Sequence, residues 1–267
     1  VWLGYGTSWI NRYKEAVMHG ISVIKEDGIA TVILNRGKVN ALNEPLVEEL
    51  YDDLANVEKD ETIGAIILTG EGKFFSFGFD VPEFLAYSRD EFERFLRKFT
   101  NLYRYLFLYP KPTVAALNGH TIAGGCMLAT ACDYRLMVSG NAKISLNEVS
   151  FGASVTAGAV EMLAYCIGRR KAHDVLFSGR MFTPEEAYQL GLIDQITEEG
   201  RLMEISKSVA QDYSDKDLVA FASIKKLIKG FVFERIQQRE DDSISEFARI
   251  WYSESTWENL QSIVIHE

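Results

Sequence analysis

The sequence predicts an α/β fold with an at least partly parallel sheet, and three observations carry that prediction. From Ile21 to about Ile196, short apolar runs alternate with helical patterns. One of the runs, Gly64-Ala-Ile-Ile-Leu-Thr-Gly70, is nearly continuous in its apolar character and bounded by glycine, as a strand buried on both faces is. Beyond Ile196 only helical patterns remain.

Each element has its own signal. Ile29-Ala-Thr-Val-Ile-Leu-Asn35 alternates as a strand does. Pro45 suits a helix start, and Leu46, Val47, Leu50, Leu54 and Val57 then fall on one helical face. A long helix is expected from Arg89 to Leu108, where Phe92, Phe95, Leu96, Phe99, Leu102, Tyr103 and Leu106 recur at helical spacing until Pro110 and Pro112 stop it. Thr113-Val-Ala-Ala-Leu117 reads as a strand, followed by a glycine turn and a helix from Gly124 to Ala131. Tyr134–Val138 and Lys143–Leu146 are two further strands. Gly200 to Asp212, Lys216 to Lys229 and Phe231 to Ser253 read as three helices with no strand between them. No linker rich in Pro, Gly or Ser precedes them. Residues 197–267 are therefore expected as a helical appendage on an α/β core of residues 21–196. Residues 1–20 are expected as an N-terminal extension, with Met18 as the alternative natural start.

Composition narrows the function classes. The 267 residues carry 38 acidic and 28 basic side chains, a formal charge of −10, and no Lys/Arg block that would form a nucleic-acid-binding face. No run approaches the 18 or so uncharged apolar residues of a membrane span, and the first 20 residues lack the apolar stretch of a secretory signal. Cys126, Cys132 and Cys166 show no ligand spacing. They point to reduced thiols, a cytoplasmic setting and no metal.

Two glycine-bearing turns stand out as candidate sites. Phe74-Phe-Ser-Phe-Gly-Phe-Asp80 follows the Gly64–Gly70 strand, and Asn118-Gly-His-Thr-Ile-Ala-Gly-Gly-Cys126 joins a strand to a helix. Glycine lets backbone approach a ligand closely, and the first N–H groups of a helix have no intrahelical acceptor. A negative oxygen set against them gains hydrogen bonds and the positive end of the helix dipole. Dinucleotide (GxGxxG) and P-loop patterns are absent.

With its surroundings, this pair resembles the crotonase (enoyl-CoA hydratase/isomerase) superfamily. The markers are Leu34-Asn-Arg36 with Asn40-Ala-Leu42, Phe75–Asp80, Lys111–Gly119, Ala123-Gly-Gly-Cys126, Cys132-Asp-Tyr-Arg135 and Phe182–Asp194, in the family's order. The resemblance implies a crotonase-like spiral of ββα units with a C-terminal helical trimerisation region, assembled as a homotrimer or hexamer. It implies an acyl-CoA thioester substrate, with coenzyme A as part of that substrate and no metal or redox cofactor. The family's oxyanion hole falls on the backbone N–H groups of Phe79 and Gly124, where donors are worth about 3–4 kcal/mol of barrier each. Hydratases of the family carry two glutamates. Here one position is Met127, which cannot move a proton, and the other is Glu148. The segment after Glu148 also lacks the glycine-rich run of hydratases. Both departures resemble the Δ3,Δ2-enoyl-CoA isomerases, in which Glu148 would carry a proton between carbons. The alternatives are a hydratase, another crotonase reaction such as thioester hydrolysis or decarboxylation, and a non-catalytic CoA-binding scaffold.

The same resemblance assigns substrate contacts to Arg36, Lys38, Ala41, Phe77, Gly78 and Phe151, with Arg36 and Lys38 as the cations nearest the nucleotide. The family's basic C-terminal cluster has no counterpart in Glu258–Glu267. Asp80 is expected to cap a helix, Asp133 to join a structural ion pair, His120 to be a polar loop residue, and Cys126 and Cys132 to be buried fillers. Phe74, Phe75, Phe77 and Phe79 divide between acyl pocket and core, because strand side chains alternate faces.

Overall fold

The computed structural model describes residues 20–265. Of the extension read over residues 1–20, residues 1–19, Met18 included, lie outside the described residues. The chain opens with strands β1 (Ile21–Glu26), β2 (Ile29–Leu34) and β3 (Ala41–Leu42), then helix α1 (Glu44–Lys59). Strands β4 (Ala65–Gly70), β5 (Phe74–Ser76) and β6 (Gly78–Phe79) follow, then helices α2 (Val81–Phe84) and α3 (Arg89–Phe107). Next come β7 (Thr113–Leu117), β8 (His120–Ile122), α4 (Gly124–Ala131), β9 (Tyr134–Val138) and β10 (Ile144–Ser145). A 3₁₀ turn, Glu148–Phe151, leads to α5 (Ala157–Ile167), α6 (Arg169–Ser178), α7 (Pro184–Leu190) and β11 (Gln195–Thr197). The chain continues through α8 (Leu202–Ser214), α9 (Leu218–Trp251) and α10 (Glu254–Gln261).

The main sheet has six strands in the order β1-β2-β4-β7-β9-β11, parallel except for the β1–β2 hairpin at its edge. Every residue of β4 is buried, which is why its sequence is a continuous apolar run and not an alternating one. The face of α1 that reads as apolar, Leu46 to Val57, is buried throughout. Beside the main sheet lie two small parallel ones, β10-β8-β5 and β3-β6. They carry the glycine turns.

Two asparagines fix those turns. Asn40 donates from Nδ2 to the carbonyls of Glu71 and Phe74, at 3.0 and 2.9 Å. Asn118 Oδ1 accepts from Gly70 N at 2.9 Å while its Nδ2 donates to Gly72 O at 3.0 Å. Gly119 has no alternative residue, because a Cβ there would lie 2.0 Å from Lys73 O.

The helical region departs from its sequence reading. Lys216–Lys229 and Phe231–Ser253 are not two helices but the single 34-residue α9, with Gly230 inside it. A mid-helix glycine costs about 1 kcal/mol, which the packing of α9 on α3 and α5 offsets. An additional helix, α10, closes the described chain. The region is also joined more closely to the core than an appendage would be. Helix α8 packs across β4 and β7, and α9 sends two buried lysines to Asp133: Lys225 Nζ lies 2.5 Å from Oδ2 and Lys229 Nζ 2.8 Å from Oδ1. Lys225 also donates to the carbonyls of Tyr109 and Lys111, so Asp133 holds a structural ion cluster. Among the described residues no helix is long and apolar enough to cross a membrane.

Candidate active site

A cavity of about 230 Å³ opens between the start of α4, the Glu148–Phe151 turn and the C-terminal turns of α9. A larger open groove between α1 and α3, about 740 Å³, holds Glu48 and Lys98, whose charges neutralise each other, and neither glycine turn reaches it.

The first wall of the cavity is β6 and the start of α4. Gly78 takes φ +94°, and a Cβ there would sit 2.9 Å from Ala123 Cβ and 3.0 Å from Gly124 N, so these two backbones touch directly. Its N–H donates to Ser76 Oγ at 3.1 Å, and Ser76 Oγ in turn donates to Asn40 O at 2.7 Å. Asp80 N donates to Leu42 O at 3.0 Å. Successive strand amides alternate sides, which turns the Phe79 N–H away from β3. Ala123 is held at φ +48°, a conformation that costs roughly 1–3 kcal/mol and is imposed here by the bond from its N–H to Ser145 O at 2.8 Å. Gly124 is then the first residue of α4, and its N–H has no intrahelical acceptor. A side chain at Gly124 would press on Leu42 Cδ1 and the Phe79 ring, both 3.1 Å from its Cβ.

The opposite wall carries Glu148, the first residue of the 3₁₀ turn. Gly152, at φ +85°, ends that turn, and Thr256 Oγ1 of α10 donates to its carbonyl at 2.8 Å. Glu148 is only 5% exposed, and its Oε2 has no hydrogen-bond partner. Burial pushes its carboxyl up from 4.5 to about 7. Met127, one turn into α4, lines the same cavity. Glu148 is the one ionisable side chain among the described residues lining it.

Of the residues singled out from sequence, Phe77, Phe79, Glu148 and Phe151 line this cavity, and Gly78 and Gly124 form the backbone beneath it. Phe75 is fully buried core, and Phe74 packs on His120 with ring centroids 4.9 Å apart. His120 does not line the cavity, and burial lowers its pKa. Ala41, Arg36 and Lys38 lie off the cavity on the neighbouring strand and loop. Ala41 pairs in register with Gly78. Lys38 is exposed.

Arg36, expected as a free cation near the nucleotide, is paired within the chain. Its guanidinium bonds Asp80 at 2.7 Å, Glu83 at 3.1 Å and Ala41 O at 2.9 Å, so two carboxylates already neutralise the charge that was read as meeting a phosphate. Asp80 caps α2, accepting from Glu83 N at 3.2 Å. Cys126 and Cys132 are buried, and burial raises both thiols, Cys132 to about 12. Sequence reasoning missed Phe247 and Trp251 of α9, which also line the cavity. Their spacing of four residues on a helix was a visible signal of a shared face.

The sequence pattern described as enoyl-CoA hydratase/isomerase matches residues 24–252. The chain belongs to that family. It is 32% identical over 213 residues to the short-chain-enoyl-CoA hydratase of Clostridium acetobutylicum, covering 79% of this chain and 81% of the relative. Among solved structures it superposes on the human mitochondrial delta3-delta2-enoyl-CoA isomerase with a TM-score of 0.87 at 26% identity, covering 91% of this chain and 96% of that one. Against the enoyl-CoA hydratase from Bacillus halodurans the TM-score is 0.84 at 27% identity, with coverages of 91% and 100%. The protein is an enzyme of the enoyl-CoA hydratase/isomerase family with the crotonase-like fold and its helical C-terminal region.

Proposed function

We propose that this family member is an enoyl-CoA isomerase that moves a double bond from the 3 to the 2 position of an acyl-CoA thioester. One observation carries the reading: a single buried carboxylate, Glu148, faces a cavity walled by two backbone-amide turns, with the apolar Met127 in place of a second acid. The thioester oxygen accepts hydrogen bonds from the Phe79 and Gly124 amides. Glu148 takes a proton from carbon 2, and the electron pair delocalises through the diene onto that oxygen as a dienolate. The same carboxyl returns the proton at carbon 4, leaving the double bond between carbons 2 and 3, in conjugation with the thioester. Proton and electron pair both stay within enzyme and substrate, so no further reactant is required. A carboxyl near 7 suits both halves, because it accepts and donates at neutral pH with little bias. Lys38, exposed on the loop before β3, is the cation this reading assigns to the nucleotide. Ile224, Leu227, Ile228 and Phe231, exposed on α9, offer an apolar surface that a homotrimer or hexamer would bury.

Hydratase is the name of several relatives and forms the second reading. Hydration needs a water held and polarised by acid and base together, and this cavity supplies one carboxyl. A panel of 3-enoyl- and 2-enoyl-CoA substrates, followed for double-bond position, water addition and free CoA, tests the proposal. Migration is the expected result. Water addition outpacing migration would overturn it.

A further inference from the structure

We infer that Phe247 and Trp251 form a fixed end-wall that limits this enzyme to short and medium acyl chains of up to about eight carbons. The inference rests on the acyl-thioester reading of the cavity. Of the lining, Phe77, Phe151 and Ile263 are half-buried, whereas Phe247 and Trp251 are buried, as are Met127, Glu148 and Thr156. Phe247 and Trp251 are the largest of the buried side chains in this lining, and on this proposal they are its closed end.

The wall has little freedom to yield. Trp251 is 1% exposed and stacks on the fully buried Phe92 with centroids 4.5 Å apart. Phe247 lies 5.9 Å from Trp251, 6.0 Å from Phe92 and 6.5 Å from Phe79. These rings belong to an aromatic cluster running back through Phe95 and Phe99 of α3, so moving one disturbs a close-packed core. The cavity's 230 Å³ equals the liquid volume of about seven or eight waters at about 30 Å³ each, and a methylene occupies nearly as much. Carbons 2 to 4 must lie at Glu148. The remaining space takes about four more.

The test measures kcat/KM for 3-hexenoyl-, 3-octenoyl-, 3-decenoyl- and 3-dodecenoyl-CoA, and the dissociation constants of the matching saturated acyl-CoAs. A methylene without room costs about tenfold or more, so the twelve-carbon thioester should fall at least about tenfold below the six-carbon one in both turnover and binding. Trp251→Leu opens the wall and should raise the twelve-to-six ratio about tenfold, with Phe247→Leu as the milder variant should the first not fold. Equal use of six and twelve carbons by the unaltered enzyme would overturn the length limit and leave the isomerase reading standing. A folded variant with an unchanged ratio would overturn the assignment of these two rings. Absence of binding and turnover at every length would overturn both the limit and the acyl-thioester reading beneath it.

Discussion

Glu148→Gln should remove double-bond migration and, at the same time, make the protein more stable in alkaline buffer. Glutamine keeps the shape of the side chain and cannot carry the proton. Loss of a positioned acid/base typically costs about 10²–10⁴-fold, and the upper end is expected here because no other ionisable group among the described residues lines the cavity. The stability effect has the opposite sign. Glu148 titrates near 4.5 when unfolded and near 7 when folded, so between these values the folded state binds more protons and stability falls as pH rises. The two values lie about 2.5 pH units apart, a loss of about 3 kcal/mol that is complete above pH 7 and absent below 4.5. Glutamine does not ionise and escapes it. The variant's melting temperature, relative to the parent's, should therefore rise by roughly 6–12 °C between pH 4.5 and pH 8. Any fixed effect of seating an amide there is the same at both pH values and drops out of the comparison. Calorimetric melts at the two pH values, beside an isomerase assay, give both quantities. A variant that retains full turnover, or a stability gap that does not change with pH, would refute the reasoning.

Isomerase kcat should climb with pH through about 7 as Glu148 becomes able to accept a proton, and a rate flat from pH 5 to 9 would speak against its role. Met127→Glu sets a second carboxyl in the same cavity and should produce measurable hydration of 2-enoyl-CoA, with about 2–3 kcal/mol lost from stability at pH 8 for the buried charge. Gly124→Ala pushes on Leu42 and Phe79 from 3.1 Å and should displace the amide enough to lower kcat about 10²-fold, with the fold kept by circular dichroism. Asp133→Asn leaves Lys225 and Lys229 buried without a counter-charge. It should lose about 3–5 kcal/mol at neutral pH in denaturant titration and regain part of that as Lys225, which burial lowers to about 8, deprotonates in alkali.

The core elements were legible where the chain carries its own punctuation. Strand β7 and helix α4 have the ends that Pro112, Gly119 and Gly124 announce, and β9 follows α4 directly. Helix α9 was divided in two because a glycine in an amphipathic run reads as a stop. Here α3 and α5 override it, and their packing is not local information. Partners were harder to read than positions. Arg36 reads as a free cation because its acceptors, Asp80 and Glu83, lie 44 and 47 residues further along. Asp133 was expected in an ion pair, yet nothing adjacent to it reveals that its partners come from a helix more than ninety residues later.

Glu148 shows the same limit at the site itself. Alone in sequence, a glutamate after a short strand reads as a surface carboxylate, and part of what surrounds it comes from α9 and α10, around a hundred residues away. Those helices shape the chemistry as well as the shelter. The carboxylate faces a largely apolar cavity that Phe247 and Trp251 help to line, and its burial raises its pKa towards the working pH. On this reading Met127 decides the direction, because it stands where a second acid would hold a water. A single carboxyl then has only carbon acids to exchange protons with, and returning the proton at carbon 4 yields the conjugated, more stable thioester.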